Sequence, residues 1–215
     1  AVALGTFIPL WSYPILRFIG RLSPVDSAAI AAHYGSVSAV TFIAATNFLQ
    51  SMNQTYEEYA TAFLAVMESP AIIVGIVLGK LAIQKPGESF LPTLKVALHE
   101  ACLGRSVVLL VGAMIIGFLS GKRGYDATSG FFVSPFQGVL ALFLLEMGMV
   151  AARRFGDLRK VGLFLMVFGM LMPLVHGSVG VLLGKAAGLS LGGATLMGVL
   201  AASASYIAAP AAVRL

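Results

Sequence analysis

Seven apolar runs, near 1–20, 27–50, 60–83, 105–121, 134–152, 161–184 and 190–212, fill most of this 215-residue chain. A helix needs about 20 apolar residues to cross the hydrocarbon core of a bilayer, and each run is close to that length. Only 11% of the residues are charged, against about 25% in soluble domains, which excludes an ordinary soluble enzyme. The chain therefore reads as an all-α integral membrane protein. Its single cysteine, Cys102, leaves no room for an internal disulfide or a cysteine-built metal site. No nucleotide loop, no cluster of metal ligands and no nucleophile with a base at useful spacing occurs, so neither a catalytic residue nor an enzyme is expected.

The formal charge of +5 reflects orientation in the membrane rather than a nucleic-acid partner. Connections near 17–26, 80–105 and 153–160, together with Arg214, carry eleven of the fourteen lysines and arginines. The opposite connections, near 51–59, 122–133 and Lys185, carry three. By the positive-inside rule the first set is cytoplasmic. The chain opens inside one apolar run and stops just past another, and is expected to be a fragment of a longer protein. Its parts are expected to be a first group of about three spans at 1–83, a cytoplasmic linker at 84–104 and a second group of about four spans at 105–215. Within the linker, Leu91, Leu94, Val96, Ala97 and Leu98 predict a short amphipathic surface helix, either a plain connector or a dock for a cytoplasmic regulatory protein.

An internal repeat carries the functional argument. At an offset of 167 residues, Ser36 meets Ser203, Ser38 meets Ser205, Val40 meets Ile207 and Ala44-Ala45 meets Ala211-Ala212. In the preceding spans the offset is 164: Pro9-Leu10 meets Pro173-Leu174 and Gly20-Arg21 meets Gly184-Lys185, with three extra residues expected at Ala186 to Gly188. The second copy starts five spans after the first, an odd number, so the copies cross in opposite directions. Inverted repeats are the architecture of secondary transporters.

Each copy holds a serine motif in mid-span: Tyr34-Gly35-Ser36-Val37-Ser38-Ala39 and Ala202-Ser203-Ala204-Ser205-Tyr206. Glycine and serine weaken a helix, and Pro210 frees the carbonyl of Tyr206. Two readings are open. In the first, small residues let helices pack closely. Alternatively both central helices break, and inversion brings the exposed N–H groups and four serine hydroxyls together as a small anion site. Gly35, Ser36, Ser38, Ser203 and Ser205 are then the candidate substrate-binding residues.

Ionisable groups inside a bilayer are costly and tend to be functional. Glu68, followed by Ser69-Pro70, suits a hard cation, a proton or a buried hydrogen bond. His176 and His33 read either as hydrogen-bonded core residues or as proton relays. Thr41 lies beyond the first break and can supply a neutral oxygen to a cation.

The run Asp26 through Ser38 resembles the first broken-helix segment of the sodium-dependent bicarbonate transporter family (SbtA type). Met67-Glu68-Ser69-Pro70-Ala71, Met147-Gly148-Met149, Leu158-Arg159-Lys160-Val161, Pro173-Leu174-Val175-His176-Gly177 and Ala201-Ala202-Ser203-Ala204-Ser205 continue the resemblance, in family order, along essentially the whole chain. The resemblance implies ten spans in two inverted halves, a core domain sliding against a gate, a homotrimer, and uptake of bicarbonate driven by sodium ion. It implies that this chain lacks the first spans and the last. Gly35, Ser36, Ser38, Ser203 and Ser205 carry over as substrate positions, and Glu68 as an acidic residue before proline. Tyr206 stands where the family leads one to expect aspartate, and Ala208-Ala209-Pro210 replaces a Ser-Gly-Pro-Pro run. A missing carboxylate there would weaken sodium binding, change the coupling ion or admit another anion, and it leaves Glu68, Thr41 and Tyr206 as the candidate cation ligands.

The expectation is thus an inverted-repeat secondary transporter with two broken central helices in the inner (plasma) membrane, importing bicarbonate with sodium. The alternatives are coupling to protons through Glu68 or His176, transport of another small anion such as a carboxylate, and a passive anion channel or a non-transporting sensor.

Overall fold

The computed structural model describes residues 1–83, 91–153 and 155–205, and all regular structure among them is helical. The elements are α1 (Val2–Pro14), α2 (Pro24–Gly35), α3 (Ala39–Ser51), α4 (Ala62–Ile83), α5 (Leu91–Leu103), α6 (Arg105–Phe132), α7 (Phe136–Arg153), α8 (Leu158–Ala186) and α9 (Leu191–Ala202). Among the described residues five helical stretches are long and apolar enough to span a bilayer: Val2–Ile19, Pro24–Ser51, Glu58–Leu81, Val107–Phe132 and Gly162–Ala186. The 18 residues of α7 extend about 27 Å at 1.5 Å each, close to the core thickness. The chain is an all-α membrane protein. Within the expected linker, α5 forms and packs on α4, while 84–90 lie outside the described residues.

The described residues fall into two compact units, one within 1–108 and 170–205 and the other within 109–169. The second unit holds most of α6, α7 and the start of α8. In α6 a left-handed Gly121 (φ 56°) redirects the chain, and helix resumes as far as Phe132. Residues 122–133, read above as a connection, are therefore largely helical. Polar composition marked the turn correctly, but one glycine accomplishes it. Gly162 (φ 81°) makes a similar break in α8.

In the first unit α1, α2 and α4 pack together, and small residues set the spacing. A Cβ on Gly5 would strike the Met67 carbonyl, and one on Gly75 would strike Ala32. One on Gly35 would lie 2.6 Å from Pro9 Cδ and 3.1 Å from Ala71 Cβ. Helix α8 packs on α9 in the same way, with Gly180 against Ala201 and Gly184 against Ala194. Lipid is as apolar as leucine, so close backbone approach of this kind is what holds membrane helices together.

The repeat is visible residue by residue. Helices α2 and α9 are each 12 residues long, and both ends are related by the 167-residue offset. Ser23 and Ser190 are the N-caps, accepting 3.1 Å hydrogen bonds from Asp26 N–H and Gly193 N–H. Ser36 (φ −87°, ψ 162°) and Ser203 (φ −76°, ψ 163°) end the helices with nearly identical backbones. The same register holds at the preceding turns, where Arg21 (φ 53°) and Gly188 (φ 81°) are both left-handed. This corrects the expected placement of the three extra residues. They lie before the turn, where α8 continues as α-helix to Ala186 while α1 runs into a π-helical turn at Ile15–Ile19.

Contacts at the helix ends establish the inversion. Gly79, near the end of α4, approaches Ala28, so α2 starts at the end of the bundle where α4 finishes. The start of α9 lies at the other end, beside the connection that follows α3. There Ser190 N–H donates to Glu57 Oε1 at 2.6 Å, and a Cβ on Gly192 would strike the Thr55 carbonyl. The two copies therefore enter the bundle from opposite ends, and the connections joined here are two that the charge count placed on one side.

The two copies differ in how these helix starts are stabilised. In α2 the carboxylate comes from within, as Ser23 Oγ donates to Asp26 Oδ2 at 2.6 Å. In α9 the corresponding position is Gly193, and Glu57 from the 52–57 connection fills the space, so that a Cβ on Gly193 would overlap its carboxylate. The Ser190 N–H, with the Glu57 backbone amide second, holds the Glu57 carboxyl below the usual value of 4.5. A negative charge at a helix N-terminus is stabilising in either arrangement.

Candidate functional site

Helix α2 ends at Gly35, three residues run extended, and α3 starts at Ala39 with Ser38 as its N-cap. The break is thus built by serine. Ser38 Oγ accepts from Thr41 N–H at 3.2 Å, an alternative to the helical bond that a mid-helix residue would make. In the second copy α9 ends at Ala202 and Ser203–Ser205 are non-helical. The half-helix expected beyond, with Tyr206 and Pro210, lies outside the described residues.

The two breaks meet. Ser38 N–H donates to Ser203 Oγ at 3.2 Å, and Ser203 Oγ in turn donates to Leu200 O at 2.8 Å. Ser205 N–H donates to the His33 carbonyl at 3.0 Å, and His33 Nδ1 hydrogen-bonds the Ser205 carbonyl. Two non-helical segments, one from each repeat, thus meet and share hydrogen bonds. Ser36, Ser38, Ser203 and Ser205 are all buried there.

The serines have different tasks at this crossing. Ser38 Oγ and Ser203 Oγ are engaged with backbone groups. Ser36 is fully buried and its Oγ has no hydrogen-bond partner among the described residues. Such an orphan is rare, because burying a hydroxyl without a partner is costly. Gly35 closes α2 against Pro9 and Ala71, so its missing side chain serves close packing at the edge of the break.

Of the candidate cation ligands, Thr41 sits in the first turn of α3, directly after the break. Glu68 lies in α4, 7% exposed, next to Met67, which packs on Gly5. Neither a hydrogen bond nor an ion pair of its carboxylate occurs among the described residues. Pro70 leaves α4 continuous. The four-residue register still leaves the Val66 carbonyl without its N–H.

Beside the crossing the structure assembles a group that motif reading passed over. His176, on α8, accepts the indole N–H of Trp11 at 2.9 Å and meets the edge of the Tyr34 ring at 5.9 Å. His176 was singled out as a lone ionisable group, but neither partner was. The available signal was the repeat itself, since position 12 aligns with 176 and places Trp11 next to the counterpart of the histidine.

The architecture is therefore two inverted copies whose helices α2 and α9 stop at serine pairs that meet. A family model described as the Na+-dependent bicarbonate transporter superfamily matches residues 1–215, the whole chain. Among curated proteins none matches it. With the match running end to end and the broken-helix architecture in place, this chain belongs to the Na+-dependent bicarbonate transporter superfamily.

Proposed function

We propose that the chain imports bicarbonate across the plasma membrane, coupled to sodium, and binds the anion where the two breaks cross. The observation that carries this reading is the hydroxyl of Ser36, without a partner among the described residues and fully buried between helix ends from two inverted repeats. Around it stand the first amides of α3, at Ala39 and Val40, which a helix leaves without intrahelical partners. Bicarbonate is small, carries one charge and accepts at three oxygens. Amides, a hydroxyl and a positive helix end satisfy it without a fixed cation. Sodium is co-substrate, and hydroxyl and carbonyl oxygens near Thr41, with the Glu68 carboxylate, are the hard donors such an ion takes. The connections rich in arginine and lysine face the cytoplasm in this reading.

The test is uptake of labelled bicarbonate into proteoliposomes with and without an inward sodium gradient. The expected result is accumulation above equilibrium only with the gradient, removed by excess unlabelled bicarbonate. Accumulation that needs no sodium and follows a proton gradient would overturn the coupling, and absence of uptake by folded protein would overturn the substrate.

A further inference from the structure

The Trp11–His176 pair lies outside the serine crossing, yet it joins the same helices. Trp11 is on α1 and Tyr34 on α2, both in the first repeat, while His176 is on α8 in the second. Indole nitrogen only donates, so His176 Nε2 must offer a lone pair, and a neutral ring then carries its proton on Nδ1. The ring is fully buried, with its centroid 5.6 Å from that of Trp11 and 5.9 Å from that of Tyr34. Tyr34 stands two residues before Ser36. Its neighbour His33 is bonded through its carbonyl to Ser205 N–H. The repeat sharpens the point. The position equivalent to His176 is Ser12, which is equally buried, but a serine is too short to reach across as the imidazole does.

We propose that His176 is a positioning residue. Locked by the Trp11 hydrogen bond, its ring holds the end of α2 at Tyr34 and so sets where Ser36 stands at the crossing. This rests on the reading of the crossing as the anion site. Histidine suits the role because one ring provides both an acceptor for Trp11 and a rigid face for Tyr34. Phenylalanine would keep the face but leave the indole N–H without its acceptor.

The experiment uses the full chain in proteoliposomes with three variants: His176→Phe, the milder Trp11→Phe, and both together. Each single variant is expected to raise KM for bicarbonate about tenfold with little change in Vmax, the signature of lost ground-state positioning. The double variant is expected to be no worse than either single, because both remove one bond. Trp11 is the only tryptophan, so its emission reports this contact alone. In His176→Phe the emission is expected to shift and to lose any response to bicarbonate.

Wild-type KM in both single variants would overturn the proposal. So would equal losses of Vmax and melting temperature, which mark general destabilisation. Wild-type protein that takes up no bicarbonate would sink the transport reading instead. Positioning is then decided by hydrogen exchange at the amides of residues 33–38 in the same samples. Faster exchange confined to that segment in the variants supports it, and unchanged protection overturns it.

Discussion

Ser36→Ala is expected to raise the KM for bicarbonate about ten- to hundredfold, the range for losing a hydrogen bond to a charged group, while the melting temperature holds or rises. The two halves of that expectation have one cause. The hydroxyl is buried and makes no hydrogen bond among the described residues, so its removal takes no described contact from the fold and relieves an unsatisfied group. Only a ligand can lose by it. Ser203→Ala behaves differently, because Ser203 Oγ accepts the Ser38 N–H and bonds Leu200 O. Its loss removes the acceptor that Ser203 Oγ offers the buried Ser38 N–H, at a cost of about 1–3 kcal/mol, and loosens the crossing. The double variant Ser36→Ala/Ser203→Ala is expected to abolish sodium-driven accumulation while still inserting in the membrane. Binding and uptake assays on detergent-stable protein decide the matter. Wild-type affinity in the double variant would remove the crossing as the binding site.

Much of this site was legible in the sequence because the signals were local. Ser36 and Ser203 share an offset of 167, and serine-rich motifs in mid-span predict breaks on backbone chemistry alone. That the helices stop at Gly35 and Ala202 follows from the same residues. The inversion was legible as parity. Contacts between distant segments were not. Trp11 and His176 are 165 residues apart, and neither shows in its own span that the other is its partner. The sequence does not mark Gly180 and Gly184 as contact surfaces, and only packing reveals them, with Gly35, as such. The runs 105–121 and 161–184 end and begin at Gly121 and Gly162, but composition does not show that a single left-handed glycine makes each break. Likewise the three-residue difference between the repeats was misplaced, because the match of Gly20-Arg21 to Gly184-Lys185 does not fix the register, which the left-handed Arg21 and Gly188 do.

The departure from symmetry at the start of α9 leads to the second large effect. Gly193→Asp restores in sequence the acid that α2 carries at Asp26. Alone it is expected to lower the melting temperature sharply, because the new side chain occupies the space of the Glu57 carboxylate and adds a like charge beside it. Removing the competitor should reverse the result. In Gly193→Asp/Glu57→Ala the aspartate is free to cap α9 from within, as Asp26 does with Ser23, and stability is expected to return toward wild type. Two destabilising changes that rescue each other are hard to explain unless both residues serve one helix start. The pH dependence adds an independent check. The Ser190 N–H lowers the folded-state value of Glu57 below 4.5, so the carboxylate's contribution is fully present above that pH and is lost as pH falls through the lowered value. Glu57→Gln keeps an oxygen for the Ser190 amide but loses the charge at the helix end. The melting-temperature gap between wild type and Glu57→Gln is therefore expected to be constant above pH 4.5 and to narrow on acidification. A gap that widens towards acid, or no rescue in the double variant, would show that Glu57 does not act as the missing acid of the second repeat.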